Sequence, residues 1–359
     1  MAEGLRPKSE QIREYIFRNL KKQSLAAMIV NRFGISRQAA NSHLRNLVKE
    51  GAILASGKTS NRTYRLAHTS SKQLVYKLRP GLEEDIVWRN DIRPLLEKLP
   101  ANVLNIWHWA FTEMFNNAID HSAGQKIIVS VRSTARHTEI IVQDDGVGIF
   151  KKIQKELGLE DERQAVFELS KGKLTTDSKR HSGQGIFFTS RMVNQFRILS
   201  EGVYFSHEIQ AEEDWIMENK ESATGTAVFM TVDNHTARTT KKILDSFSVK
   251  GSYGFNKTVV PVEMARYGSD QLISRSQAKR VLARVDLFSQ VLFDFAGIEE
   301  IGQAFADEIF RVFASEHPAI ELMPINASKN IVATIGAARK SARAELKEET
   351  RHARAKLRL

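Results

Sequence analysis

Residues 113–121 read EMFNNAIDH and place Glu113, Asn117 and His121 at i, i+4 and i+8. On an α-helix these three stack in one row, with Asp120 beside them, a polar row that a purely structural helix does not need. Two glycine-rich stretches follow. In DDGVGIF, Asp144 precedes Gly146 and Gly148 at the end of a β-prone run, where backbone can approach a flat ligand. In SGQGIFF, Gly183, Gln184 and Gly185 open an apolar helix, and a glycine turn at a helix start presents free N–H groups to a phosphate.

The elements that position these residues alternate between helix and strand. Residues 102–121 form an amphipathic helix with Trp107, Phe111, Met114 and Ala118 on its apolar stripe. The β runs KIIVSVR (126–132) and TEIIVQD (138–144) follow, and the second delivers Asp144 to its end. Between the glycine motifs, residues 150–182 carry Lys151, Lys152, Lys171, Lys173, Lys179 and Arg180, which reads as a long basic lid beside a phosphate site. Gly225 and Thr226 then lead into the β run TAVFMTV.

Each motif alone is common, but their order resembles the ATP-binding domain shared by DNA gyrase, heat-shock chaperones, histidine kinases and the mismatch-repair ATPase, the GHKL superfamily. The resemblance implies a central α/β sandwich of the Bergerat type over residues 75–235, with ATP and Mg²⁺ as cofactors. It implies that Asn117 coordinates Mg²⁺, which needs few protein oxygens beside phosphate and water. Glu113 would orient or deprotonate the attacking nucleophile. Asp144 would accept a hydrogen bond from the adenine amino group, with Gly146 and Gly148 letting backbone close around the base. Gly183, Gln184 and Gly185 would hold the phosphates, Thr226 would support the adenine end, and Asp120 and His121 would flank the site. Of the lid lysines, Lys173 is the candidate for contact with ATP.

The flanking regions differ in charge. Residues 1–70 hold 13 Lys+Arg against 4 Asp+Glu, residues 339–359 hold 8 against 3, and the remainder holds 32 against 35, within a net charge of +11. A basic end domain points to a polyanion partner. Residues 9–20, 24–33 and 36–50 carry three helical patterns, Gly34 breaks the chain after the second, and Ser36 is placed to cap the third. Two β-prone arms around a Gly/Lys/Ser/Asn/Arg tip follow, and the whole resembles the winged helix-turn-helix of bacterial regulators over residues 1–70. In that fold the third helix enters the major groove of DNA, where Arg37, Gln38, Asn41, His43 and Arg45 would meet bases and phosphates. Lys58 and Arg62 at the wing tip would meet backbone phosphates.

Residues 255–338 alternate strands and helices in an order that resembles the STAS domain of anti-sigma-factor antagonists, and more closely a STAS-like domain found behind such ATPase domains. STAS antagonists carry a phosphorylatable hydroxyl at the start of the helix after the Asp-containing strand, but no Ser or Thr occurs from Ile298 to Phe310. Residues 339–359 read as a basic helical tail. The expected whole is a multidomain α+β chain, consistent with 359 residues, 42% hydrophobic and 26% charged. With zero cysteines there is neither a disulfide nor a thiol nucleophile. No apolar run reaches the length of a membrane span and the N-terminus is polar, so the expected location is the cytoplasm and no membrane partner is expected.

Three functions are compatible with this organisation. The first is a cytoplasmic regulator that couples nucleotide state to DNA binding, with a partner or a second copy docking on the STAS-like domain. The second is a serine/threonine kinase of the anti-sigma-factor type acting on a STAS-like partner. The third is an ATP-hydrolysing conformational switch without a role on DNA. Histidine autokinase is disfavoured, because His108 lies inside the nucleotide-binding region and no segment before that region offers a dimerising helix with a His followed by an acidic residue.

Overall fold

The structure is a computed structural model that describes residues 8–20, 22, 24–57, 62–174, 183–209, 215–218, 224–249, 254–266 and 271–356. Helices α1 (Lys8–Asn19), α2 (Leu25–Phe33) and α3 (Arg37–Lys49) are followed by the antiparallel hairpin of β1 (Ile53–Ser56) and β2 (Thr63–Leu66). Gly34 adopts the left-handed conformation that ends α2, and the Ser36 hydroxyl accepts from the Ala39 N–H at 3.1 Å to start α3. Ala40, Leu44 and Leu47 turn one stripe of α3 into a separate small core with Ile12, Ile16 and Ile29. That leaves Arg37, Gln38 and Arg45 exposed and Asn41 and His43 half-buried on the same helix.

The central part is a seven-stranded antiparallel sheet in the order β3-β4-β5-β9-β6-β7-β8. Its strands are β3 (His68–Lys77), β4 (Lys126–Thr134), β5 (His137–Asp144), β6 (Gln195–Ser200), β7 (Val203–Glu208), β8 (Trp215–Glu218) and β9 (Thr226–Asp233). Edge strand β3 begins at His68, directly after the hairpin, so the sheet starts earlier than residue 75. Helices α4 (Glu84–Val87) and α5 (Arg93–Leu96) are joined by a π turn, and α6 (Ala101–His121) lies against β5 and β9. The alternation of Ile127, Val129 and Val131 on β4 and of Ile140 and Val142 on β5 buries one face of the sheet beneath the helices. On α6 the expected stripe of Trp107, Phe111, Met114 and Ala118 is buried in that layer.

Helices α7 (Ile149–Leu157) and α8 (Glu162–Lys171) correct the expectation of a lid over residues 150–182. Phe150, Ile153, Ala165, Val166, Phe167 and Leu169 recur at helical spacing and are buried, so the first two-thirds of that segment is packed secondary structure. Residues 175–182, with Lys179 and Arg180, lie outside the described residues, as does Lys58. Helix α9 (Gly185–Met192) starts at the second glycine motif, and α10 (Thr240–Ser246) follows β9.

The last part is a parallel three-stranded sheet, β10 (Lys257–Pro261), β11 (Gln290–Asp294) and β12 (Glu321–Ile325), in the order β10-β11-β12. The helices are α11 (Arg275–Leu282), α12 (Gln303–Asp307), α13 (Ala314–Glu316) and α14 (Lys329–Lys356). Helix α14 runs through residues 338 and 339 without a break, so the expected boundary there between the STAS-like region and the basic tail falls inside one helix. The Ser274 hydroxyl is used in the capping box that starts α11. One continuous apolar core joins this part to the central one. Among the described residues no helix is long and apolar enough to cross a membrane.

Candidate functional site

Helix α6 carries Glu113, Asn117 and His121 along one side, with Met114 and Ala118 buried beside them. Asn117 and His121 line a small recess closed by Met114, Ala118, Ser122, Val142, Asp144, Ile149, Ile186, Thr226 and Val228. The Asn117 side-chain nitrogen is buried there without a hydrogen-bond partner. A buried donor nitrogen without a partner costs free energy, which an acceptor on a bound ligand would recover. Asp120, although adjacent in sequence, is exposed and does not line the recess.

Asp144 forms the floor. The residue is 7% exposed, and its Oδ1 accepts from the N–H of Gly146 at 2.9 Å and of Thr226 at 3.2 Å. Burial pushes this carboxyl above the usual carboxylate range, and the two N–H bonds only partly offset it. Oδ2 takes part in neither bond. The Thr226 hydroxyl accepts from the Ile149 N–H at 3.0 Å, which ties the start of α7 to the start of β9.

Gly146 and Gly148 are in contact with protein, which changes the expected reason for them. A Cβ on Gly146 would lie 1.9 Å from the Ser122 carbonyl oxygen, and Gly148 at φ +78° faces Glu201 and Ser200. Gly225 sits 2.2 Å, by the same measure, from the Asp144 carbonyl oxygen. Asp145, which no motif singled out, accepts from the N–H groups of Gln125 at 2.7 Å and Lys126 at 3.0 Å. These bonds hold its carboxyl below the usual range and fasten the loop after α6 to the strand end that presents Asp144. A second carboxylate directly after a strand-end aspartate was the signal available in the sequence.

At the other end of the row, Gly185 begins α9 where a Cβ would come 2.1 Å from Glu113 Oε2. Glu113 and the Gly183–Gly185 turn therefore meet, and the carboxylate lies at the helix start, where the dipole favours negative charge. Gln184 is the N-cap of α9. Lys152 donates to the His121 carbonyl at 3.2 Å, beside the recess.

Lys173 departs from expectation. Its ammonium donates to the Leu287 carbonyl at 2.7 Å and lies 4.6 Å from the centre of the Phe288 ring, so it faces the C-terminal part and not the recess. Its backbone is left-handed, at φ 53°. Arg62 lies 5.9 Å from the Tyr64 ring at the hairpin.

The recess itself is tight, about 30 Å³, room for about two water molecules. Adenine would enter only with displacement of lining side chains such as Ile149 and Ile186. The polar groups nonetheless fit a nucleotide: an amide on the α6 row with an unpaired N–H donor, a buried carboxylate with one oxygen outside its backbone bonds, and a glycine turn at a helix start. Among the described residues no group of three or more His, Asp or Glu could cage a metal, so a cation here would depend on Asn117 and on the ligand's own oxygens.

Residues 88–204 match the histidine kinase-like ATPase domain, and residues 277–332 match a STAS-like domain of unknown function. The first match includes Glu113, Asn117, Asp144 and the Gly183–Gly185 turn; Thr226 lies beyond it. No curated protein matches the chain.

Proposed function

We propose that the chain is an ATP-binding regulator whose nucleotide site is the α6 row with Asp144 and the Gly183–Gly185 turn. The observation that carries this reading is the convergence in one recess of the buried Asp144 carboxylate and the unpartnered Asn117 amide, inside the segment that matches the ATPase domain. Asp144 would receive the adenine amino group on Oδ2, and Thr226 would hold the adenine end through the chain it ties to α7. Asn117 would contribute the protein oxygen to Mg²⁺, which when bound offsets the negative charge of the phosphates. Glu113, held at the start of α9, would orient a nucleophile or take its proton. Lys173, whose ammonium donates to the Leu287 carbonyl, has no role in this site.

The three N-terminal helices and hairpin support a winged-helix reading, in which exposed Arg37, Gln38 and Arg45 of α3 face DNA and Asn41 and His43 supply further contacts. A basic face on a separately cored unit favours that partner. Transfer of phosphate to the position that STAS antagonists use is disfavoured, since residues 298–310 bear no Ser or Thr; Ser274, Ser276 and Ser289 lie elsewhere in the STAS-like part.

Titration calorimetry of the full chain with ATP, with and without Mg²⁺, tests the site. The wild type should bind more tightly with Mg²⁺, whereas Asn117→Ala should bind ATP with no Mg²⁺ dependence. Equal Mg²⁺ dependence in both would remove Asn117 from the metal site, and no binding by the wild type would remove the reading altogether.

A further inference from the structure

The C-terminal part grips residues 171–174, whose last member packs on Gly183, through one buried cation. Lys171, the last residue of α8, is 1% exposed. Its ammonium donates to Glu168 Oε1 at 2.7 Å and to the carbonyls of Arg280 and Ala283, each at 3.0 Å. Those carbonyls belong to the end of α11, where backbone acceptors lack helical partners and the dipole favours a positive charge. Three ammonium hydrogens thus meet three acceptors. Glu168 Oε2 is buried without a hydrogen-bond partner, and the charge of that carboxylate is balanced by Lys171 in direct contact and by the nearby Arg284 guanidinium.

The grip extends to the next residues. Thr258 donates to the Lys171 carbonyl at 2.6 Å, Arg284 donates to the Lys173 carbonyl, and Lys173 donates to Leu287. Gly172, at φ +83°, lies under Phe255, whose ring a Cβ would meet at 2.7 Å. On its other side the same strip touches the site. The Leu174 backbone packs on Gly183, where a Cβ would come within 2.5 Å of its carbonyl, and Gly185 meets Glu113. Phe187 and Phe188 of α9 complete the junction, with ring centres 4.6 and 4.8 Å from that of Phe255.

We infer that Lys171 is a positioning residue that ties the Gly183–Gly185 turn to the end of α11, so that nucleotide occupancy and the STAS-like domain bias each other. The inference rests on the nucleotide reading proposed above. Every link is a packed contact or a hydrogen bond, and Gly183 and Gly172 leave no side chain to cushion a shift. Movement of the turn on binding phosphate must therefore be passed to residues 280–288 or break the grip. Coupling between two sites is reciprocal in binding free energy.

The test is hydrogen exchange on the full chain, with and without a non-hydrolysable ATP analogue and Mg²⁺, read at the amides of residues 284–288. Bound analogue should slow exchange there at least about 5-fold in the wild type, the lower end of ordinary allosteric coupling. The paired variant Lys171→Met with Glu168→Gln, which removes both charges together, should bind the analogue and lose that change. Arg284→Ala, remote from the recess, should weaken analogue binding by a similar factor, which keeps the test decisive if the paired variant does not fold. Wild type that binds the analogue with unaltered exchange overturns the coupling. So does a paired variant that keeps the change, or Arg284→Ala with wild-type affinity. Wild type that binds no analogue overturns the nucleotide reading first, and the coupling with it.

Discussion

Asp144→Asn separates binding from stability more sharply than any other single change. The two side chains have the same shape, and an asparagine Oδ1 can keep both N–H bonds, from Gly146 at 2.9 Å and Thr226 at 3.2 Å. What changes is the second oxygen, which becomes an NH₂ group. For the fold this is neutral or favourable. The native carboxyl titrates above its unfolded value of 3.8 because of burial. Between those two values the folded chain holds a proton that the unfolded chain has released, so stability falls as pH rises through that window. At neutral pH the whole cost is present, and an uncharged amide does not incur it. For adenine the change is unfavourable, because a charge-assisted acceptor worth about 1.5–3 kcal/mol is replaced by a donor facing a donor. That loss corresponds to about 10- to 150-fold in affinity. Calorimetric titration with ATP and a thermal melt at pH 7 measure both effects on one sample. A variant that melts no lower than the wild type but binds ATP at least about 10-fold more weakly agrees with the assignment. One that binds within about 2-fold of the wild type, a difference of under about 0.5 kcal/mol, refutes the role of Asp144, and one that melts far lower refutes the stability argument.

Glu113→Ala should leave ATP affinity within a few-fold of the wild type and abolish turnover of γ-labelled ATP, whether the label leaves as phosphate or moves to protein. Turnover at the wild-type rate would show that Glu113 has no part in the chemistry. Arg37→Ala should weaken binding to a random-sequence duplex and reduce the slope of log affinity against log salt by about 0.9, the value of one lost phosphate contact. An unchanged slope and affinity would place the DNA face elsewhere or nowhere on α3.

Much of the candidate site was legible because its logic is local. The spacing of Glu113, Asn117 and His121 determines that they share a helix row, and the apolar residues between them determine which side is buried. Ser36 and Gly34 mark helix ends through bonds within a few residues of themselves. The same locality explains why α7 and α8 read as a basic lid: Lys151, Lys152 and Lys171 stand out by type, although Phe150 and Ile153, and Ala165 and Leu169, recur at helical spacing. Residues with long-range partners were not legible. Gly146 is constrained by the Ser122 carbonyl, Lys173 turns to Leu287, and Lys171 meets Ala283 more than a hundred positions away. A sequence therefore determined which side chains could do chemistry and on which face each lies, because backbone periodicity sets that over a few residues. Only the tertiary structure decided what the buried groups touch, because a buried charge or a missing Cβ takes its meaning from whichever atoms packing brings within bonding distance.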